Sequence, residues 1–233
     1  MSLAYVVAAP EPVSLPVVGS ADRFPVRRVF CVGRNYEAHA KEMGFTGREP
    51  PFFFLKPAEA VVPVPAGSVG EIAYPSLTKD LHHEIELVVA IGRGGSEIAA
   101  ADAASHIYGY AIGLDMTRRD LQAEMKKQGR PWCIGKAFEQ SAPIGPVTPI
   151  AQCGEITKGA ISLAVNGATR QASDLSMLIW SVDEVIAHLS KAWVLAPGDL
   201  IMTGTPEGVG AVVRGDRMRG EIAGLGALDV LVR

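Results

Sequence analysis

The chain is poor in the features that would place it in several protein classes. Its three cysteines (Cys31, Cys133, Cys153) are odd in number and have no CxxC spacing. That rules out a disulfide framework and a cysteine-built zinc site and fits reduced thiols in a cytosolic protein. Charge of one sign is also scarce. With 22 Lys and Arg against 25 Asp and Glu, the net charge is −3, and no basic block appears, so the electrostatic footprint of a nucleic-acid binder is missing. No apolar run reaches membrane-spanning length, and the first basic residue is Arg23, too late for the basic start of a secretory signal. The expectation is a cytoplasmic enzyme-sized domain without membrane or nucleic-acid partners. Low-complexity tracts and internal repeats are absent as well.

What is present is a 233-residue chain, 48% hydrophobic and 20% charged, long enough for one large core. Prolines 10, 12, 16 and 25 mark the start as short extended pieces, so residues 1–26 are expected to pack as an extension on a catalytic domain spanning 27–233. Many short β-type runs and few helical ones then predict an α+β fold that is mainly β. Residues 29–32, 52–55, 84–91, 108–115 and 200–203 read as strands. Asn166-Gly167 between two such runs predicts a hairpin. A helix is expected from about 35 to 43, another from about 117 to 128 opened by a capping-box-like Thr117-to-Asp120, and a third after the Ser181-to-Glu184 capping box. On this last helix Val182, Val185, Ile186, Leu189 and Trp193 make the buried stripe.

The stretch that organises the chemistry is 80–92. A strand has period two, so Glu84 and Glu86 point to one face and Ile85 and Leu87 to the other. Two adjacent carboxylates repel, and their burial needs compensation that a hard cation supplies. The alternative is an edge strand whose glutamates face water. Asp115, where a strand hands over to a helix, is a third candidate acid, and three oxygen donors of this kind suit Mg²⁺ or Mn²⁺. His82 and His83 flank the site without the spacing of zinc ligands. His39 and Glu42, three apart on a helix, share one face and are within reach of each other, or are merely solvated. Lys56 reads as a solvated lysine at a turn. The glycine-rich 204–210 is either a tight connection or a nest of N–H groups that, with the Thr205 hydroxyl, holds a carboxylate.

The set Gly33-Arg34-Asn35-Tyr36 with His39 and Glu42, His82 to Leu87, Leu114 to Thr117 with Arg119-Asp120, Lys136, and Thr203 to Gly210 closely resembles the fumarylacetoacetate hydrolase family. The resemblance runs in order over residues 27–233. It implies a mixed β-sandwich roll with few short helices, a Mg²⁺ or Mn²⁺ site, a homodimer and cleavage of carbon–carbon bonds in small-molecule diketo acids. Carried over residue by residue, it makes Glu84, Glu86 and Asp115 the metal ligands, and His39 with Glu42 the catalytic dyad. Lys136 becomes the cationic partner of the developing enolate, and Arg119, Gln122 and Thr205 the contacts of the substrate's carboxylate end. The separate N-terminal domain of the larger members has no counterpart in these 233 residues, so the chain is similar to the compact acylpyruvase-like branch. Within it, residues 51–57 and 78–84 look most like the members that hydrolyse fumarylpyruvate in gentisate breakdown. Arg34 is the candidate for that substrate's distal carboxylate, with Lys56 next. Oxaloacetate decarboxylation, a general acylpyruvase activity and dienoate isomerisation or hydration are the competing readings on the same scaffold.

Overall fold

A computed structural model describes residues 5–36 and 48–233. The centre of the fold is a mixed sheet. Its main order runs Phe52–Lys56, Arg28–Gly33, Asp199–Met202, Ile85–Ile91, Ile107–Leu114, Ala142–Ile144, Val61–Pro63, with Thr148–Pro149 added beside Ile107–Leu114. The central strand Ile85–Ile91 is buried along its whole length between two antiparallel neighbours.

Period two decides which core each side chain joins. Ile85, Leu87, Val89 and Ile91 enter the larger cluster, which is completed by the second sheet (Ala168–Asp174, Ala160–Val165, Arg217–Ile222, Gly226–Val232, Val69–Ile72) and by the helix Val182–Ala192. Val88 and Ala90 enter a smaller cluster on the opposite face, which Leu15, Val17, Phe24 and Val26 help to cover. The N-terminal pair of strands Ser14–Pro16 and Arg23–Pro25 thus lies on the main sheet. Each buried aliphatic side chain contributes about 1.5–3 kcal/mol, and this one strand supplies such side chains to both clusters.

The expected elements appear with a few differences. The hairpin is Ala160–Val165 and Ala168–Asp174, with Asn166 and Gly167 both at positive φ (51° and 80°), the geometry its two-residue turn requires. The Ser181 capping box is complete, and Val182, Val185, Ile186 and Leu189 are buried as predicted. The capping box expected at Thr117-to-Asp120 does not form. Thr117–Arg118 instead pairs as a short strand with Leu81–His83, and the helix runs Arg119–Lys127. Asp120 turns outward to accept from the Thr78 hydroxyl (2.6 Å) and Lys79 N–H (3.0 Å), fastening the loop before His82 onto this helix. At the first expected helix, Tyr36 forms an isolated bridge to Leu178. His39 and Glu42 lie outside the described residues.

Candidate metal centre

The three acids come together because of strand register. Ile85 pairs with Leu114, so Glu84 stands across from Asp115, and Asp115 N–H donates to Glu84 O at 2.8 Å. Glu84 sits in the break between Leu81–His83 and Ile85–Ile91, and Glu86 two residues on points the same way. One oxygen from each carboxylate lies within 4.8 Å of the other two, and all three residues are buried.

Such crowding is tolerable only if countercharges are close. Lys136, at the end of the short helix Cys133–Lys136, places Nζ 2.8 Å from Glu84 Oε2 and 2.6 Å from Asp115 Oδ2. Burial alone would lower its pKa, yet the charges of Asp115 and Glu84 hold it above its ordinary value. Arg119 makes an ion pair with Glu84 Oε1 and donates to Gln122 Oε1 at 3.2 Å. Glu86 is different. Among the described residues it forms no ion pair, and its one hydrogen bond is from Gly204 N–H at 2.7 Å. Gly204 aims that N–H from φ +100°, a conformation that favours glycine. Burial first, then the charges of Asp115 and Glu84, push the Glu86 carboxyl well above the usual range. An all-oxygen, buried donor set in which one carboxylate has no ion pair among the described residues fits a hard divalent cation, Mg²⁺ or Mn²⁺.

Lys56 is where the sequence expectation fails. It ends the strand Phe52–Lys56, is 1% exposed, and sets Nζ 2.8 Å from Asp115 Oδ1. The same ammonium donates to Ser141 Oγ (3.0 Å), Met116 O (3.2 Å) and Lys136 O. An amine committed to these partners is not solvated and does not face the cavity, so its second role, on a distal carboxylate, falls as well.

The cavity beside the acids, about 30 Å³, is lined by Arg34, Phe54, Glu84, Glu86, Asp115, Arg119, Gln122, Trp132, Lys136 and Thr205. Arg34, Arg119, Gln122 and Thr205, named from the sequence as substrate contacts, are therefore on its wall, and Lys56 is not. Arg34 adopts φ 58° and lies over the Phe52 ring at 5.2 Å; burial lowers its pKa. Beyond Phe54 and Trp132 a wider apolar cleft of about 400 Å³ opens, sharing those two residues and Lys136 with the first. His82 and His83 stand behind the acids. His82 Nε2 meets Asp80 Oδ1 and His83 Nδ1 meets Gln171 Oε1, both at 2.9 Å. Burial lowers the pKa of each.

The residues on either side of 37–47 share one anchor. Asn35, fully buried, donates to Trp180 O (2.9 Å) and Thr203 O (2.8 Å) and accepts from Trp180 N–H (2.8 Å). Arg48 lies over the Trp180 ring at 4.0 Å and donates to Ile179 O and Glu184. Sequence reading gave Gln171 no role, quoted Asn35 only within a motif and took Lys56 for solvated, since the polar character of these residues carries no periodic signal. Gly204 lay within a loop already singled out for its N–H groups.

A metal-ready carboxylate cluster on a β-rich roll defines a class of enzyme centre that works on oxygen-rich small molecules. Residues 28–233 match the model of the fumarylacetoacetate (FAA) hydrolase C-terminal domain, and the chain belongs to this family. It is 46% identical over 184 residues to a fumarylpyruvate hydrolase of Ralstonia sp, covering 79% of this chain and 93% of that one. A mitochondrial oxaloacetate tautomerase of Rattus norvegicus is 42% identical over 199 residues, covering 85% and 88%. The crystal structure of fumarylpyruvate hydrolase from Pseudomonas aeruginosa in complex with Mn²⁺ and pyruvate superposes with a TM-score of 0.97 at 61% identity, covering 98% of this chain and 99% of that one.

Proposed function

We propose that this chain is a metal-dependent acylpyruvate hydrolase that cleaves the C3–C4 bond of 3-fumarylpyruvate to fumarate and pyruvate. The observation that carries the reading is the buried triad Glu84, Glu86 and Asp115 with Lys136 among its oxygens, beside a cavity walled by Arg34, Arg119, Gln122 and Thr205. The 61% identical Pseudomonas enzyme, crystallised with Mn²⁺ and pyruvate, supports both the metal and the pyruvoyl end. Held by the three carboxylates, Mg²⁺ or Mn²⁺ supplies Lewis-acid polarisation of the pyruvoyl oxygens.

The protein's own groups do the rest. Arg119, Gln122 and the Thr205 hydroxyl orient the pyruvoyl carboxylate, and Arg34 takes the distal one as a planar donor. Burial, and after it the charges of Arg34 and Arg119, lower the pKa of Lys126. His39, oriented by Glu42, takes a proton from water as its oxygen bonds to C4. The C3–C4 pair then leaves as the enolate of pyruvate, Lys136 sets positive charge beside it, and a proton returned to C3 completes the products. A homodimer in the cytoplasm is part of this reading, and size-exclusion chromatography with light scattering tests the dimer.

Oxaloacetate is the second reading, favoured by the 42% identity to an oxaloacetate tautomerase. The test is kcat/KM for 3-fumarylpyruvate, acetylpyruvate and oxaloacetate, following pyruvate release and, for oxaloacetate, enol–keto conversion. A strong preference for fumarylpyruvate over acetylpyruvate that shrinks in Arg34→Ala supports the assignment. Equal use of the two leaves a general acylpyruvase. Enol–keto conversion of oxaloacetate far faster than any pyruvate release gives the second reading the lead.

A further inference from the structure

Gln171 lies on the hairpin strand Ala168–Asp174, remote in sequence from every acid of the site, and is fully buried. All four of its amide hydrogen-bonding positions are used. Oε1 faces Ile85 N–H (3.1 Å) and His83 Nδ1 (2.9 Å), and Nε2 faces Pro206 O and Thr205 Oγ1 (both 2.8 Å). Two of these partners have no choice of role. A backbone N–H can only donate and a carbonyl can only accept, so Ile85 and Pro206 fix which end of the amide is oxygen and which is nitrogen.

The other two partners then follow. One Nε2 hydrogen goes to Pro206 O and the second to Thr205 Oγ1, which makes the Thr205 oxygen an acceptor from behind. Its own proton has to point elsewhere, and Thr205 lines the cavity beside the triad. The loop is held in this register by close approach. A Cβ on Gly208, at φ +86°, would come within 2.1 Å of Arg170 O, so the loop can lie on this strand only with glycine there.

We propose that Gln171 is a positioning residue for the substrate: by donating to Thr205 Oγ1 it turns the Thr205 hydroxyl into a fixed donor to the pyruvoyl carboxylate. The inference rests on the reading that an acylpyruvate places its carboxylate in this cavity. It gives the hydroxyl a direction before substrate arrives, so no rotor has to be ordered on binding. The same amide oxygen requires His83 to carry a proton on Nδ1.

Gln171→Glu tests the direction. An ionised glutamate has no donor. A protonated one has a single donor, which Pro206 O would take because it cannot donate back. Either way the Thr205 proton is drawn back toward residue 171 and away from the cavity. For the Mn²⁺-loaded protein the pyruvate Kd, by calorimetry, should rise about ten- to a hundred-fold, the scale of a lost hydrogen bond to a charged group. Mn²⁺ affinity should be unchanged, and KM should rise more than kcat falls. Thr205→Val should weaken pyruvate similarly, Thr205→Ser should retain it, and Gln171→Glu should add little in the Thr205→Val background. An unchanged pyruvate Kd in Gln171→Glu, or losses that multiply in the double variant, overturns the proposal and leaves the Thr205 contact standing. A silent Thr205→Val overturns both. Independently of whether a variant at 171 folds, ¹⁵N shifts of the His83 ring in the unaltered protein give a second reading. An Nδ1–H tautomer supports the amide orientation, and an Nε2–H tautomer overturns it.

Discussion

Replacing Lys56 by Met removes one cation from a place where four oxygens converge on it. Its ammonium pairs with Asp115 Oδ1 at 2.8 Å and also serves Ser141 Oγ, Met116 O and Lys136 O, with both charged side chains almost wholly buried. Methionine fills a similar volume, so the loss is electrostatic and not a cavity effect. Breaking a buried pair while leaving the other charge in place costs about 3–5 kcal/mol. The pair in isolation is worth much less, since two desolvation penalties offset the attraction. Lys136 stays on Asp115 Oδ2 at 2.6 Å, which puts the expected loss at the lower end, about 3 kcal/mol. For a chain of this size that corresponds to a fall in Tm of about 6–12 °C. Calorimetric unfolding in EDTA measures it without a contribution from bound metal. The partner change is Lys56→Met with Asp115→Asn: once the aspartate charge is gone, part of the penalty should be recovered. A Tm within about 2 °C of the parent for Lys56→Met, or a double variant as unstable as the sum of its singles, would refute the buried-pair reasoning.

Three further outcomes follow from the structure. Arg48→Ala removes an exposed ion pair to Glu184 and the stack on Trp180, so stability should fall by only about 0.5–1.5 kcal/mol; because Arg48 follows the segment bearing His39 and Glu42, kcat should fall much further than that loss accounts for. Burial would raise the Glu184 pKa, but Arg48 and the Ser181 cap together hold it below its ordinary 4.5. A depressed carboxylate stabilises the fold above the unfolded value and loses that contribution as pH falls through the folded one, so melts below pH 4.5 should decline less steeply in Glu184→Gln. His39→Ala should impair acylpyruvate hydrolysis more than any turnover of oxaloacetate, since only hydrolysis requires an activated water; equal losses in paired assays would assign His39 another role.

Much of the site was legible because it depends on local periodicity. Glu84 and Glu86 share a face by the two-residue repeat of a strand, and Asp115 follows a strand that ends in glycine-rich and apolar residues. Register then brings it beside them through the pairing of Ile85 with Leu114. The Asn166-Gly167 turn and the Ser181 cap were legible for the same reason, as each is specified within four residues. Lys56 was not, because a lysine at the end of a strand looks the same in sequence whether the next element covers it or water does. What covers it here, Met116, Lys136 and Ser141, lies 60 to 85 positions away. Gln171 was hidden similarly, as a polar residue among exposed neighbours whose partners are 34 to 88 positions distant. The failed capping box at Thr117 shows local chemistry losing to tertiary pairing: the backbone at 117–118 completes a strand beside Leu81–His83, and Asp120 serves the preceding loop instead.

The central claim is that the Glu84, Glu86 and Asp115 triad holds the metal on which acylpyruvate cleavage depends. Calorimetric titration of Mn²⁺ into EDTA-treated protein, with pyruvate release from 3-fumarylpyruvate measured at each point, tests it most directly. The account predicts one tight site per chain, activity rising in proportion to its occupancy, and loss of both in a folded Glu86→Gln variant. Mn²⁺ binding by Glu86→Gln as tight as that of the parent, or full turnover by the metal-free protein, would contradict it.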